Sequence, residues 1–560
     1  MMPAECNNSG RNHRAGLSLS IWFATTTSLL LAWAIPALGA PQSGHEANHS
    51  AGPVPREILE RPVPLRQGIG GMHEKVNTAS TEAQAFYDQG LAYLHSFVWI
   101  EAVRSFHQAL RSDPNLAMAY LGLADAYIGL QDPVTARSAF NAAKAHEKHM
   151  TDRERVWLVI RDRELDYLES GEDPDKYVAY RKSISEAIRA NPNDPWLWIQ
   201  RGQADEGSPT THGQAGSVDT LSFYKTALDV APGNLAALHY LAHTNENLGH
   251  TKEALEGSAT YVRLAPAIPH AHHMHGHELL RSGRTEEAIQ EFLKTKELEE
   301  TYYRAENIPP QFDWHHAHNL QLLAFSYQIL GQVNSAEALF QQSFALPAYT
   351  EFLEYNRRAW PEFLLNRSRF EEALTAARKL GESPVPMARL AAHSIAGEAL
   401  LGLGRLDDAK DELQGAERET EHLSPRVVGA LPHPFALRAA ILLREKSTEE
   451  GEPLILNVIK SLRSSPGPDS WCTAIFALES IAREARQSGD WKLAEFTAQE
   501  MIKHNSNYAG AHFALGLVAE HAGHSAEARE QFAAAEKLWS KADKDLPELR
   551  RIHEGVSARR

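Results

Sequence analysis

Two short histidine runs stand one repeat length apart in this chain. HYLAH sets His239 and His243 four residues apart, and PHAHHMHGHELLRSGR carries His270, His272, His273, His275 and His277 within eight residues. A shift of 34 residues carries His239 and His243 onto His273 and His277. Side chains four apart on a helix are neighbours, with Cβ atoms about 5–6 Å apart, and packed helices lie about 8–10 Å from one another. Two such pairs on adjacent helices bring four imidazoles within reach of one ion or a close pair of ions. Neutral imidazole is the commonest ligand for transition metals, so zinc or copper is the expected cofactor class. His318, in HNLQ, extends the set, and Glu246, Asp313 and Glu362 are the carboxylates that can complete or orient it. His315 and His316 are read as preceding their helix, as loop ligands or caps.

Other chemistries find no support. There is no HExxH zinc signature, Gly-rich phosphate loop, GxSxG elbow or CxxC pair. The net charge is −16 without a basic stripe, so nucleic acid is not an expected partner.

The elements that must position the histidines repeat with the same period. With Ala83 as position 1, Phe86, Gly90, Tyr93, Ala102, Phe106, Ala109 and Pro114 recur 34 residues later as a similar large–small–large pattern. Tyr120, Ala124, Tyr127, Ala136, Phe140 and Ala143 carry that second copy. Further copies are phased from Leu235, Pro269, Ala317, Leu390, Ile475 and Ala509, with less regular pairs between. This pattern resembles the tetratricopeptide repeat (TPR), a helix–turn–helix unit that buries its apolar face only by stacking on its neighbours. The expected fold is therefore an all-α TPR solenoid, a right-handed superhelix. Residues 84–122, together with HYLAH, HMHGH and HNLQ, are similar to an exported bacterial TPR family that carries H-Y-x-x-H, H-M-P-S-H and H-N-L-H segments. His275 and Gly276 replace its Pro-Ser, and Gln321 its last histidine. That resemblance implies fold and export and transfers no activity.

At 100° per residue, positions 4, 7, 8 and 11 of the first helix of each repeat form the packed stripe, and positions 2, 5, 9 and 12 a second stripe turned away from it. The TPR resemblance implies that the second stripe lines a concave groove. His239, His243, His270, His273, His277 and His318 all fall on it, with Gln321 and Glu246. His272 and His275 fall on the packed stripe. Tyr355, Arg358 and Glu362 continue the groove stripe, where Arg358 can hold a substrate carboxylate or phosphate, or pair with Glu362. Three roles stay open for the histidine face: a metal site, a seat for a peptide or protein partner, or a solvated polar surface. A metal-dependent enzyme, using activated water or redox chemistry, is the alternative built on the first.

The N-terminus reads as an export signal. Arg11 and Arg14 precede an apolar run, Leu17 to Ile35, and Ala37 to Gly39 supply a small-residue cut before Ala40. The chain is thus expected to be periplasmic or secreted, or anchored by that run if it is not cut, with no other membrane span. Past the signal there is one thiol, Cys472, so packing rather than disulfides must hold the fold. The domain reading is 1–39 signal peptide, 40–75 flexible linker with His45 and His49, 76–234 N-terminal repeats, 235–346 histidine-rich repeats, 347–445 and 446–545 further repeats, and 546–560 tail. Within the repeats, Tyr302 to His316 is read as an inserted loop covering one end of the groove.

Overall fold

The computed structural model describes residues 52–557, except 172, 207–213, 349 and 466. The signal segment and His45 and His49 lie outside the described residues. Among the described residues every regular element is helical, and the helices pair in sequence order as antiparallel hairpins. No described helix is long and apolar enough to cross a membrane.

The packed stripe does what its spacing predicts. Gly276 lies against Phe292 of the same hairpin so closely that a Cβ on it would stand 2.6 Å from the ring, as Gly90 does against Phe106 at 2.5 Å. The small residue admits the aromatic, and the aromatic fills the space between the two helices.

Two segments depart from expectation. The composition predicts a flexible linker up to residue 75, but from residue 52 on the chain lies seated on the repeats, with Ile58, Leu59, Val63, Ile69 and Met72 buried. Arg61 donates to the carbonyl of Glu306, and Arg66 pairs with its carboxylate. Buried apolar residues at intervals outweigh the Pro- and Gly-rich composition here. The expected loop over Tyr302–His316 is mostly helix. Thr285–Glu306 extends through Tyr302 and Tyr303 and ends at Asn307 in the left-handed region, and the next helix, Trp314–Ile329, starts before His315.

The C-terminal repeats return onto the middle of the chain. Asp543 N–H donates to the Gly331 carbonyl at 3.1 Å, Arg367 pairs with Glu548 at 2.9 Å, and helix Pro468–Ser488 packs on Trp314–Ile329 and Ala359–Asn366. That return brings Asp469 to the histidines.

Candidate metal centre

Helices Leu235–Asn247, Pro269–Arg281 and Trp314–Ile329 are the first helices of three hairpins. Asn234, Pro269 and Asp313 fix their starts: Asn234 caps Ala237 N–H, Pro269 occupies the first turn, and Asp313 caps His315 N–H at 3.0 Å. Their shared stripe brings all six expected histidines together in two sets. The donor atoms of His239, His243 and His270 lie within 4.8 Å of one another, and so do those of His273, His277 and His318. All six side chains are buried.

The Nε2 atoms converge. His239 Nε2 stands 2.9 Å from His270 Nε2 and 3.1 Å from His243 Nε2, and His277 Nε2 stands 2.7 Å from His273 Nε2. The partners of the other ring nitrogens set the tautomers. His239 Nδ1 faces the His95 carbonyl at 2.7 Å, which can only accept. His273 Nδ1 faces Asn319 Oδ1 at 2.9 Å, and that amide is turned by its own Nδ2–H, which donates to the Phe292 carbonyl at 3.1 Å. His277 Nδ1 faces Glu246 Oε2 at 3.7 Å, beyond hydrogen-bond reach, and His318 Nδ1 lies 3.4 Å from Asp469 Oδ1. In His239 and His273 these acceptors place the proton on Nδ1, which leaves a bare lone pair on Nε2, and the carboxylates nearest Nδ1 of His277 and His318 favour the same tautomer by charge. This is the way carboxylates and carbonyls orient metal-ligating imidazoles.

Electrostatics favour the neutral form of five of these histidines. Burial holds His239, His270 and His273 well below the ordinary histidine value, with the neighbouring imidazoles adding to it. Burial likewise takes His243 down to about 3 and outweighs Glu246 at His277. At Glu246 burial pushes upward, but His277, Arg281 and His243 outweigh it and hold the carboxyl near 2. Burial also pushes Glu299 upward, and its bonds to His315 and His316 bring it to about 2.

A family model of the tetratricopeptide repeat matches residues 99–149 and 480–543. Those two stretches carry the tetratricopeptide repeat pattern. Among solved structures, the human IFIT1 dimer with m7Gppp-AAAA is 12% identical, with a TM-score of 0.39 over 75% of this chain and 90% of that one. Yeast Tom70 is 13% identical, at 0.38 over 76% and 90%. A tetratricopeptide repeat protein from Parabacteroides merdae is 16% identical, at 0.35 over 49% and 96%. Likeness at this level carries no argument about function. No curated protein matches the chain.

In TPR terms the histidines hold positions 2, 5 and 9, the stripe expected to face an open groove. Here that stripe is covered. Phe97 lies over the first set, its ring centroid 4.5 Å from His239 and 5.0 Å from His270, and Trp314 stacks on His318 at 5.8 Å. Phe97 holds a hairpin-turn position with φ 59°, where Gly249 and Gly283 serve the corresponding turns with φ 75° and 74°. A bulky residue is disfavoured in that conformation, and what it gains is a buried aromatic cover on the cluster.

The remaining expected residues divide. Glu246 stands 3.7 Å from His277 Nδ1 and pairs with Arg281 at 3.4 Å. His272 is a satisfied packing residue, bonded to Glu291 at 2.6 Å and to the Pro266 carbonyl at 3.1 Å, and His275 bonds Ser258 Oγ. Three expectations are corrected. Asp313 is not a ligand, because its oxygens cap His315 N–H and accept from Tyr303 Oη. Gln321 is spent on Ser343 Oγ and the Asn356 carbonyl, bridging helices. Glu362 faces Arg358 at 3.2 Å and His433 at 3.7 Å, in a different place. His315 and His316 are not loop residues but lie in the first helical turn, both bonded to Glu299. Sequence reasoning missed Asn319, Glu299, Asp469 and the His95 carbonyl. Only Asn319, beside His318, carried a local signal.

Tyr355, Arg358 and Glu362 line a separate cavity of about 160 Å³ with Glu398, His433 and Ser470. Arg358 stacks on Tyr355 at 3.9 Å and donates to Asn356 Oδ1 at 2.7 Å. Asn356 Nδ2 in turn donates to Asp469 Oδ2 at 3.4 Å, which links the cavity wall to the residue behind His318. Burial, with Glu362 and Glu484 nearby, raises Glu398 to about 8. A carboxyl raised in the fold favours the protonated state, so its contribution is complete below about pH 4.5 and is lost as the pH rises to about 8. Stability is expected to fall over that window by at most about 1.4 kcal/mol per pH unit. Glu398→Gln should flatten this part of the profile in denaturant titrations at pH 5, 6.5 and 8, and an unchanged slope refutes the assignment.

Proposed function

We propose that this chain is a metal protein: a TPR scaffold, exported by its N-terminal signal, whose buried histidine face holds transition-metal ions of the zinc or copper class. One observation carries the reading. His273 Nε2 and His277 Nε2 stand 2.7 Å apart; Asn319 leaves the His273 lone pair facing His277, and the Glu246 carboxylate nearest His277 Nδ1 draws that ring's proton to the same side by charge. Two buried lone pairs in that position repel unless a cation lies between them. Burial and the neighbouring imidazoles disfavour a proton there, as the lowered values of both rings indicate. A metal ion satisfies both. All-nitrogen donor sets without thiolate suit zinc or copper.

Elemental analysis of untagged protein, purified without metal columns, tests this beside His239→Ala/His273→Ala. Near-stoichiometric metal in the parent, lost in the variant, is the expected result. Folded parent protein that takes up neither zinc nor copper after reloading sinks the reading. Repeat solenoids commonly bind peptides or proteins, but such a partner would need a surface other than the buried histidine face. An enzymatic use, by activated water or redox chemistry, would draw on the cavity that Asn356 connects to Asp469.

A further inference from the structure

We infer that the cluster is a two-ion centre, in which His239, His243 and His270 hold one ion, His273, His277 and His318 hold a second, and His315 reaches the space between them. This rests on the metal reading above. The donor atoms form two separate sets of three rather than one set of six. Zinc–nitrogen bonds are about 2.0–2.1 Å, so the donors of one ion lie no more than about 4.2 Å apart. Around a tetrahedral ion such donors lie about 3.3–3.4 Å apart, so the closest pairs, at 2.7 to 3.1 Å, open slightly around an ion, and a single ion does not serve both sets. The sets meet where the His270 and His273 rings pass at 5.7 Å, which makes the two positions neighbours.

His315 supplies the second, independent observation. Its Nδ1–H is given to Glu299 at 2.5 Å, and its Nε2 is buried with no hydrogen-bond partner among the described residues. The ring lies 4.9 Å from His270 and 4.3 Å from His273, between the sets. Seven buried imidazoles now share one space, more than one four-coordinate ion can use. Three protein ligands per ion leave an open position on each, the arrangement of reactive rather than structural sites. His315 can fill one of these, and a small oxygen donor, water or hydroxide, can lie between the ions. The surrounding charge agrees. Glu246, Glu299 and Asp469 face His277, His315 and His318, and Arg281 pairs with Glu246, so three carboxylates against one cation stand around the donor sets.

The test uses the full chain without a tag, stripped by a chelator, loaded with Zn(II) or Cu(II) alone, desalted, and weighed by native mass spectrometry. Two tightly held ions are expected in the parent. His239→Ala/His243→Ala and His277→Ala/His318→Ala should each keep one, and different ones. His315→Ala should keep two, with one about tenfold more easily taken by a competing chelator. One ion in the parent, or the same ion lost from both double variants, overturns the two-ion centre and leaves the metal reading standing. No ion from either metal overturns both. The count on the parent needs no variant to fold.

Discussion

On the proposed metal reading, Asp469→Asn is expected to loosen an ion held by the His273 set by about 10–100-fold, the usual cost of losing a group that orients a ligating histidine. Asp469 stands 3.4 Å from His318 Nδ1 and comes from helix Pro468–Ser488, outside the three histidine helices. Burial pushes its carboxyl upward, and His318 and Arg358 outweigh that and keep it charged. The amide has the same shape without the charge. It can turn its NH2 toward His318, and that ring then loses the reason to keep its proton on Nδ1 and its lone pair on the metal side. A chelator competition measured beside the thermal melt separates the two possible effects. Loosened metal at an unchanged melting temperature supports an orienting role. Unchanged affinity contradicts it.

Arg104→Met should be the most destabilising single change on the N-terminal side, at about 3–5 kcal/mol, the range for breaking one half of a buried ion pair. Arg104 is wholly buried and pairs with Glu101, itself 1% exposed. It also donates to Glu306 at 2.8 Å and to the carbonyls of Pro62 and Arg61 at 3.0 and 3.3 Å. Its loss leaves the buried Glu101 carboxyl, which burial already pushes upward, without its cation and with Tyr302 Oη donating at 2.8 Å, and it releases the segment that the sequence presented as linker. Glu101→Gln/Arg104→Met should recover part of the loss, because no unpaired charge remains. The four-species cycle in denaturant gives the coupling. A single variant as stable as the parent would contradict this account.

The 34-residue period and the large–small spacing were enough to set the helical hairpins, because each hairpin's packing is local and each small residue has its aromatic partner within the same or the next helix. The same periodicity put six histidines on one stripe, since a helix holds residues four apart on one face whatever surrounds it. The sequence could not say that the stripe is interior. Phe97 and the His95 carbonyl reach His239 from 144 residues upstream in the case of the carbonyl, and Asp469 reaches His318 only because the C-terminal repeats return over the middle ones. Likewise Asp313 and Glu362 were reasonable ligands by type, and only the fold assigned one to a helix cap and the other to Arg358. Periodicity is written in neighbours along the chain. The lone pairs of a buried cluster are set by groups that only the tertiary fold brings into contact, and those groups turned a histidine-rich helix face into a buried, converging set of nitrogen donors.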